Sequence, residues 1–335
     1  MGGQHDTALG PGRMTGGMPL PERWRGGVVA IGNFDGVHRG HQAVLDRALA
    51  AAAKLTAPAL VLTFEPHPRT FFNPEKPVHR ITPAPMKTLL LRHLGADAIV
   101  EYPFDGEFAA RTAEEFVSDI LIGELGIVGA ITGFDFHFGK DRQGGPAYLM
   151  DAGRRLGFSV DLVDAFRDEA AEVISSSRIR DCLATGRLGE ANGLLGYHYT
   201  VSGTVIGGRK LGRTLGYPTA NIRLAPESDL QEGIYAVRLR RADGSLHDGV
   251  ASFGRRPTVE ADGEALLEVY VFDFDGDLYG ETCAVSLFGF LRGEEKFDGL
   301  DALTAQMRRD EAEARALLAG ATPLGQLDRT LAFAP

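Results

Sequence analysis

The feature that most limits the fold is a change of hydrophobic period near Gly196. From residue 28 to about 165, the short apolar runs VVAIG, ALVLTF, DAIVEY, IVGAIT and FSVDLV are separated by amphipathic stretches at 41–54, 85–94, 113–123 and 147–156. Alternating strand and helix signals of this kind predict a parallel sheet with helices on both faces, the Rossmann-like α/β arrangement. A helical stretch over 177–195 then leads out of this unit. Beyond it, YTVSGTVIG, IYAVRLR, LLEVYVFDF and CAVSLFGF alternate with period two between Gly, Asp and Asn turns, which predicts antiparallel strands closing into a small barrel. A last amphipathic helix, with Leu300, Leu303, Met307, Ala314, Leu317 and Leu318 on one face, is expected to pack on that barrel.

A chain of 335 residues exceeds what one core usually serves, so two domains are expected, at 27–195 and 196–320. Residues 1–26 are rich in Gly and Pro without a signal-peptide core and read as a flexible leader; 321–335 read as a tail. Net charge is −10, which supplies no basic surface for non-specific nucleic-acid or membrane binding. Small-molecule substrates are the expected partners, on a monomer or weak homo-oligomer. Cys182 and Cys283 stand far apart, matching neither a zinc spacing nor a disulfide framework, so a reducing cytoplasmic setting is expected.

In parallel sheets, ligands bind beyond the carboxyl ends of the strands. The loops there read GNFDGVHRGH, EPHPRTFF and GFDFHFGKDRQGG. In the first, Gly32 and Gly36 let backbone approach a ligand, while His38 and His41 sit three apart where a helix begins. A helix N-terminus attracts anions, and two imidazoles add donors that can become cationic, so polyphosphate is the predicted target. ISSSRIR places Ser176, Ser177 and Arg178 at another helix start, suited to phosphate or to simple capping.

Gly207, Gly212, Arg213 and Thr214 nearly spell a P-loop, but Arg213 replaces the essential Lys and Tyr217-Pro218-Thr219 blocks the helix that must follow. The run reads instead as a Gly-rich flap leading into PTAN. There Thr219 and Asn221 alternate on extended chain and can offer two oxygens to one hard cation such as Mg²⁺; ordinary turn polarity is the other reading. Glu268 shares a strand face with Leu266, Tyr270 and Phe272, which suits a general base or a strand-edge ion pair. DFDGDLYG lacks the Gly and Glu of a calcium loop and reads as a hairpin turn.

GNFDGVHRGH, TFEPHP, GFDFHFGK, ISSSRIR, KLGRTLGYPTANI and DFDGDLYGE, in that order, resemble the bacterial bifunctional riboflavin kinase and FAD synthetase family over about residues 19–310. The resemblance implies a first domain that joins FMN to the AMP part of ATP with release of pyrophosphate. Gly32, Asn33, Phe34, Asp35, Gly36, His38 and His41 would hold ATP there, with Ser176, Ser177 and Arg178 closing on the phosphates. It implies a second domain built as a six-stranded riboflavin kinase barrel with a terminal helix. In that barrel Gly212, Thr214 and Gly216 would cover ATP, Thr219 and Asn221 would hold Mg²⁺, and Glu268 would take the proton of the ribityl hydroxyl. His67 and Arg292 would contact flavin. The sequence departs from the family habit at Ser252, Phe253, Tyr270, Ser177, His137 and Gly293. Two other readings stand beside this one: a flavin-binding regulator without turnover, and an adenylyltransferase for another phosphate ester.

Overall fold

A computed structural model of the chain describes residues 12–207, 219–256 and 264–334. It divides into two compact units between Ser175 and Ser176. The helical stretch predicted as the end of the first domain therefore belongs to the second unit.

The first unit holds a six-stranded sheet in the order β1-β4-β3-β2-β5-β6, every pairing parallel. The strands are β1 (Arg13–Thr15), β2 (Val28–Ile31), β3 (Ala59–Glu65), β4 (Ala98–Pro103), β5 (Gly129–Gly133) and β6 (Ser159–Val163). All four residues of central β2 are buried, which explains why VVAI reads as a continuous apolar run. The helices α1 (Arg39–Leu55), α2 (Pro68–Phe72) and α3 (Ala84–His93) follow β2 and β3. Val44, Leu45, Ala48 and Ala52 of α1 recur at helical spacing and are the residues it buries.

Over residues 12–26 the leader expectation is corrected by β1, while residues 1–11 lie outside the described residues. Arg13, Met14 and Thr15 pair with Ile99, Val100 and Glu101, and the Arg13 guanidinium meets the Glu101 carboxylate at 2.5 Å. Leu20 and Trp24 are also buried, so this segment joins the sheet and its core. Three paired residues leave no periodic signal in a Gly- and Pro-rich stretch.

In the second unit, helices Ser176–Ala184 and Leu188–Leu195 precede a closed barrel of order β10-β11-β8-β7-β12-β9. Its strands are β7 (Thr200–Ile206), β8 (Thr219–Arg223), β9 (Gly233–Arg240), β10 (Leu246–Arg256), β11 (Glu264–Val271) and β12 (Thr282–Arg292), all antiparallel neighbours. Ile222, Val237, Leu239, Phe253, Leu267, Val269, Val285 and Leu287 fill it, each fully buried. Helix Leu300–Ala319 lies against β9, β10 and β12 as predicted, although Leu300 and Leu317 of the expected face stay exposed.

The expected tail is also corrected, because Gln326–Ala332 is a docked helix. Leu327 and Leu331 are buried, and the Asp328 carboxylate accepts from the His198 N–H at 2.9 Å and the Leu324 N–H at 2.9 Å. Arg238 donates to the Ala332 carbonyl and Arg240 to those of Leu331 and Thr330, so two guanidiniums satisfy the orphan carbonyls of this helix end. Three apolar positions, Leu327, Leu331 and Ala332, are buried in the docking, and the rest is polar contact with β9 and His198 that a sequence pattern does not display.

Candidate active sites

In the first unit, the Gly32 N–H still reaches the Leu62 carbonyl at 3.1 Å, after which the chain leaves the sheet. The turn that follows takes left-handed backbone at Phe34 (φ 50°), Gly36 (φ 90°) and Val37 (φ 38°). Phe and Val are unfavourable there, so the surroundings must hold the turn in place. The carboxylate of Asp35, only 1% exposed, accepts from the Thr82 N–H at 3.0 Å, and the Gly36 N–H donates to Thr82 Oγ1 at 2.8 Å. The Thr63 hydroxyl donates to the Asn33 carbonyl at 3.0 Å.

His38 ends the turn as the N-cap of α1, its Nδ1 accepting from the His41 N–H at 3.3 Å. That bond places the proton of a neutral His38 on Nε2. Gly40 leaves the His38 ring room, since a Cβ there would lie 3.1 Å from it, closer than ordinary van der Waals contact. The two imidazoles stack with centroids 3.6 Å apart and planes 16° from parallel. Burial first, then the charges of His38 and Lys87, push His41 well below the ordinary histidine range, so it rests neutral. Its Nδ1 is enclosed without a hydrogen-bond partner among the described residues. Negative charge arriving at this helix end favours the imidazolium, so the pair can answer an anion with added positive charge.

Beneath the turn lies a charged cluster the sequence reading missed. Glu65, at the end of β3, receives both guanidinium nitrogens of Arg80 at 2.5 Å and Lys87 Nζ at 2.7 Å. Burial alone would push the Glu65 carboxyl up; the Arg80 hydrogen bond and the Lys87 charge outweigh it and hold it at about 2. The sequence offered one signal, a lysine three and four residues before the buried Leu90 and Leu91. His67, expected to contact flavin, caps α2 by accepting from the Arg69 N–H at 3.1 Å.

In the second unit, β11 brings Glu268 directly opposite Asn221 of β8 on one side and Ser252 of β10 on the other. Residues directly opposite in antiparallel strands share a face, with Cβ atoms about 5 Å apart. The two neighbours of Glu268 on β11, Leu267 and Val269, fill the barrel, so this row lies on the other face. Tyr270 faces Thr219 one step along, which puts a hydroxyl, an amide and a carboxylate within one short patch. Asn221 is 2% exposed; its Nδ2 donates to the Thr219 carbonyl at 3.2 Å, and its Oδ1 is enclosed with no hydrogen-bond partner among the described residues. An unpaired enclosed carbonyl oxygen beside a carboxylate is suited to a hard cation.

Other predicted site residues have different surroundings. Ser176, Ser177 and Arg178 open a helix of the second unit, where Arg178 donates to Glu190 at 2.9 Å. Arg292 is engaged by Asp310, with contacts of 2.9 and 2.6 Å. Gly212, Thr214 and Gly216 lie outside the described residues.

Residues 20–178 match the FAD synthetase family and residues 195–318 the riboflavin kinase family. A bifunctional riboflavin kinase/FMN adenylyltransferase of Pseudomonas fluorescens is 41% identical over 301 residues, covering 88% of this chain and 94% of the relative. A protein of the same name from Escherichia coli K12 is 40% identical over 290 residues, covering 87% and 92%. A crystal structure named as a macrolide-efflux protein from Streptococcus pneumoniae superimposes with a TM-score of 0.79 at 32% identity, covering 90% of this chain and 99% of that one. Among the described residues, no helix of this chain is long and apolar enough to cross a membrane. Two matched families in the order of the two units, with relatives at this identity over nearly their whole length, show that the chain belongs to the bifunctional riboflavin kinase/FMN adenylyltransferase family.

Proposed function

We propose that the two family reactions run at two separate sites of this chain, with the residue roles that follow. At the barrel, the ribityl hydroxyl of riboflavin attacks the γ-phosphorus of ATP, Glu268 takes the hydroxyl proton, and ADP leaves. At the turn after β2, a phosphate oxygen of FMN attacks the α-phosphorus of ATP and the bond to pyrophosphate breaks, giving FAD. FMN arrives already ionised, so this second site needs charge stabilisation and no base of its own. The amides at the start of α1, with His38 and His41, supply it.

The observation that carries the barrel assignment is the cross-strand row Asn221–Glu268–Ser252, with the enclosed Asn221 Oδ1, unpartnered among the described residues, at one end. Thr219 and Asn221 would hold Mg²⁺ there. The chemistry a bound Mg²⁺ supplies is neutralisation of phosphate charge. Phosphoryl transfer otherwise asks for alignment, and the rigid pairing of β8 and β11 gives the base a fixed position relative to the phosphates. A reducing cytosolic setting fits the two thiols: Cys182 and Cys283 are buried and unbonded, and burial pushes each up to about 11.

The test is Asn221→Leu, which keeps the volume and removes the oxygen. The Mg²⁺ concentration giving half-maximal riboflavin phosphorylation is expected to rise by about 10- to 100-fold, the range in which loss of a supporting metal contact acts. An unchanged Mg²⁺ titration would take Asn221 out of the metal site.

A further inference from the structure

Lys87 lies in the middle of α3 with none of its side chain exposed. A buried ammonium costs more than an apolar side chain of the same length, so its place needs a reason. Its Nζ donates to Thr63 Oγ1 at 3.0 Å and to Glu65 Oε1 at 2.7 Å. An ammonium has donors only, so the Thr63 hydroxyl must accept from it. The single hydroxyl proton is thereby directed elsewhere, and the Asn33 carbonyl lies 3.0 Å away to receive it.

That carbonyl belongs to the peptide leading into Phe34, the first residue of the turn with left-handed backbone. Thr63 continues the β2–β3 ladder by side chain at the point where the last backbone bond, Gly32 N–H to Leu62 carbonyl, has been made. Because a trans peptide is planar, fixing the Asn33 carbonyl toward β3 turns the Phe34 N–H the opposite way, away from β3. Thr82 anchors the other side through Asp35 and Gly36.

We propose that Lys87 and Thr63 are positioning residues for FMN adenylylation: the ammonium orients the Thr63 hydroxyl, and the hydroxyl locks the Asn33–Phe34 peptide in the strained form that presents the turn to ATP phosphates. This rests on the reading of residues 32–41 as the ATP phosphate site.

The experiment uses the full chain with Thr63→Val, which keeps shape and loses the hydroxyl, Thr63→Ser, which keeps the hydroxyl, and Lys87→Met. Circular dichroism and thermal unfolding of each variant report whether the first unit, which holds Thr63 and Lys87, is folded. For Thr63→Val, kcat/KM for ATP in FMN adenylylation is expected to fall by about 10- to 100-fold with KM for FMN held within about twofold, as for a misplaced reacting group. Thr63→Ser is expected to restore the ATP parameters, and Lys87→Met to shift them in the same direction as Thr63→Val. Wild-type ATP parameters in Thr63→Val, no restoration by Thr63→Ser, or an equal loss in KM for FMN would overturn the proposal. The underlying reading fails separately: full FAD formation by a variant lacking both His38 and His41 would remove the turn from ATP binding whatever Thr63 does.

Discussion

Glu268→Gln is expected to lower FMN formation from riboflavin by about 10²- to 10⁴-fold, the range in which a positioned general base contributes. The substitution preserves size and leaves the β8–β11–β10 pairing intact, since the ladder is made by backbone. What it removes is the carboxylate opposite Asn221, the proposed proton acceptor. FAD formation from supplied FMN should continue at the wild-type rate, because the proposed adenylylation site needs no base and Glu268 sits in the barrel of the second unit. Wild-type riboflavin phosphorylation by this variant, measured by chromatography of the flavins, would show that Glu268 serves only the strand.

The second large effect is expected from replacing His38 and His41 together by alanine. Each donor aimed at developing phosphate charge is worth about 10²- to 10³-fold, so FAD formation should fall by at least that factor while FMN accumulates from riboflavin. His38 also caps α1, and its loss is expected to cost the helix about 1 kcal/mol, too little to unfold a domain. Unchanged circular dichroism and an unchanged KM for FMN in the residual reaction separate the lost chemistry from a lost fold of the first unit. FAD formation at an undiminished rate would contradict the assignment of the turn.

Which parts of these sites can be read from the sequence follows from where their residues lie. The turn is legible because Gly32, Gly36, His38, Gly40 and His41 sit within ten residues, and local spacing decides what they can do. Its supports are not: Thr63, Arg80, Thr82 and Lys87 reach it from β3, from α3 and from the chain between them, and nothing local marks a threonine in an apolar strand as the holder of a distant carbonyl. PTAN and Glu268 are legible as chemistry, but the register that sets Asn221 opposite Glu268 depends on closure of the whole barrel. Strand β1 and the last helix escape the pattern because each is short, and both are fixed by polar contacts, Arg13 with Glu101 and Asp328 with the His198 N–H.

The histidine turn that the sequence displays most openly is thus a strained segment held from below by buried groups, and the chemistry proposed for the barrel is assigned to a row made by three strands. Two sites with separate residues make one direct test possible. The Glu268→Gln chain and the chain lacking both His38 and His41 are mixed in equal amounts with riboflavin, ATP and Mg²⁺, and FAD is followed over time. The mixture is expected to form FAD after a lag in which FMN builds up, although neither variant alone produces it from riboflavin. A mixture that fails to form FAD, while each variant keeps its own remaining half-reaction, would contradict the account of two independently working sites.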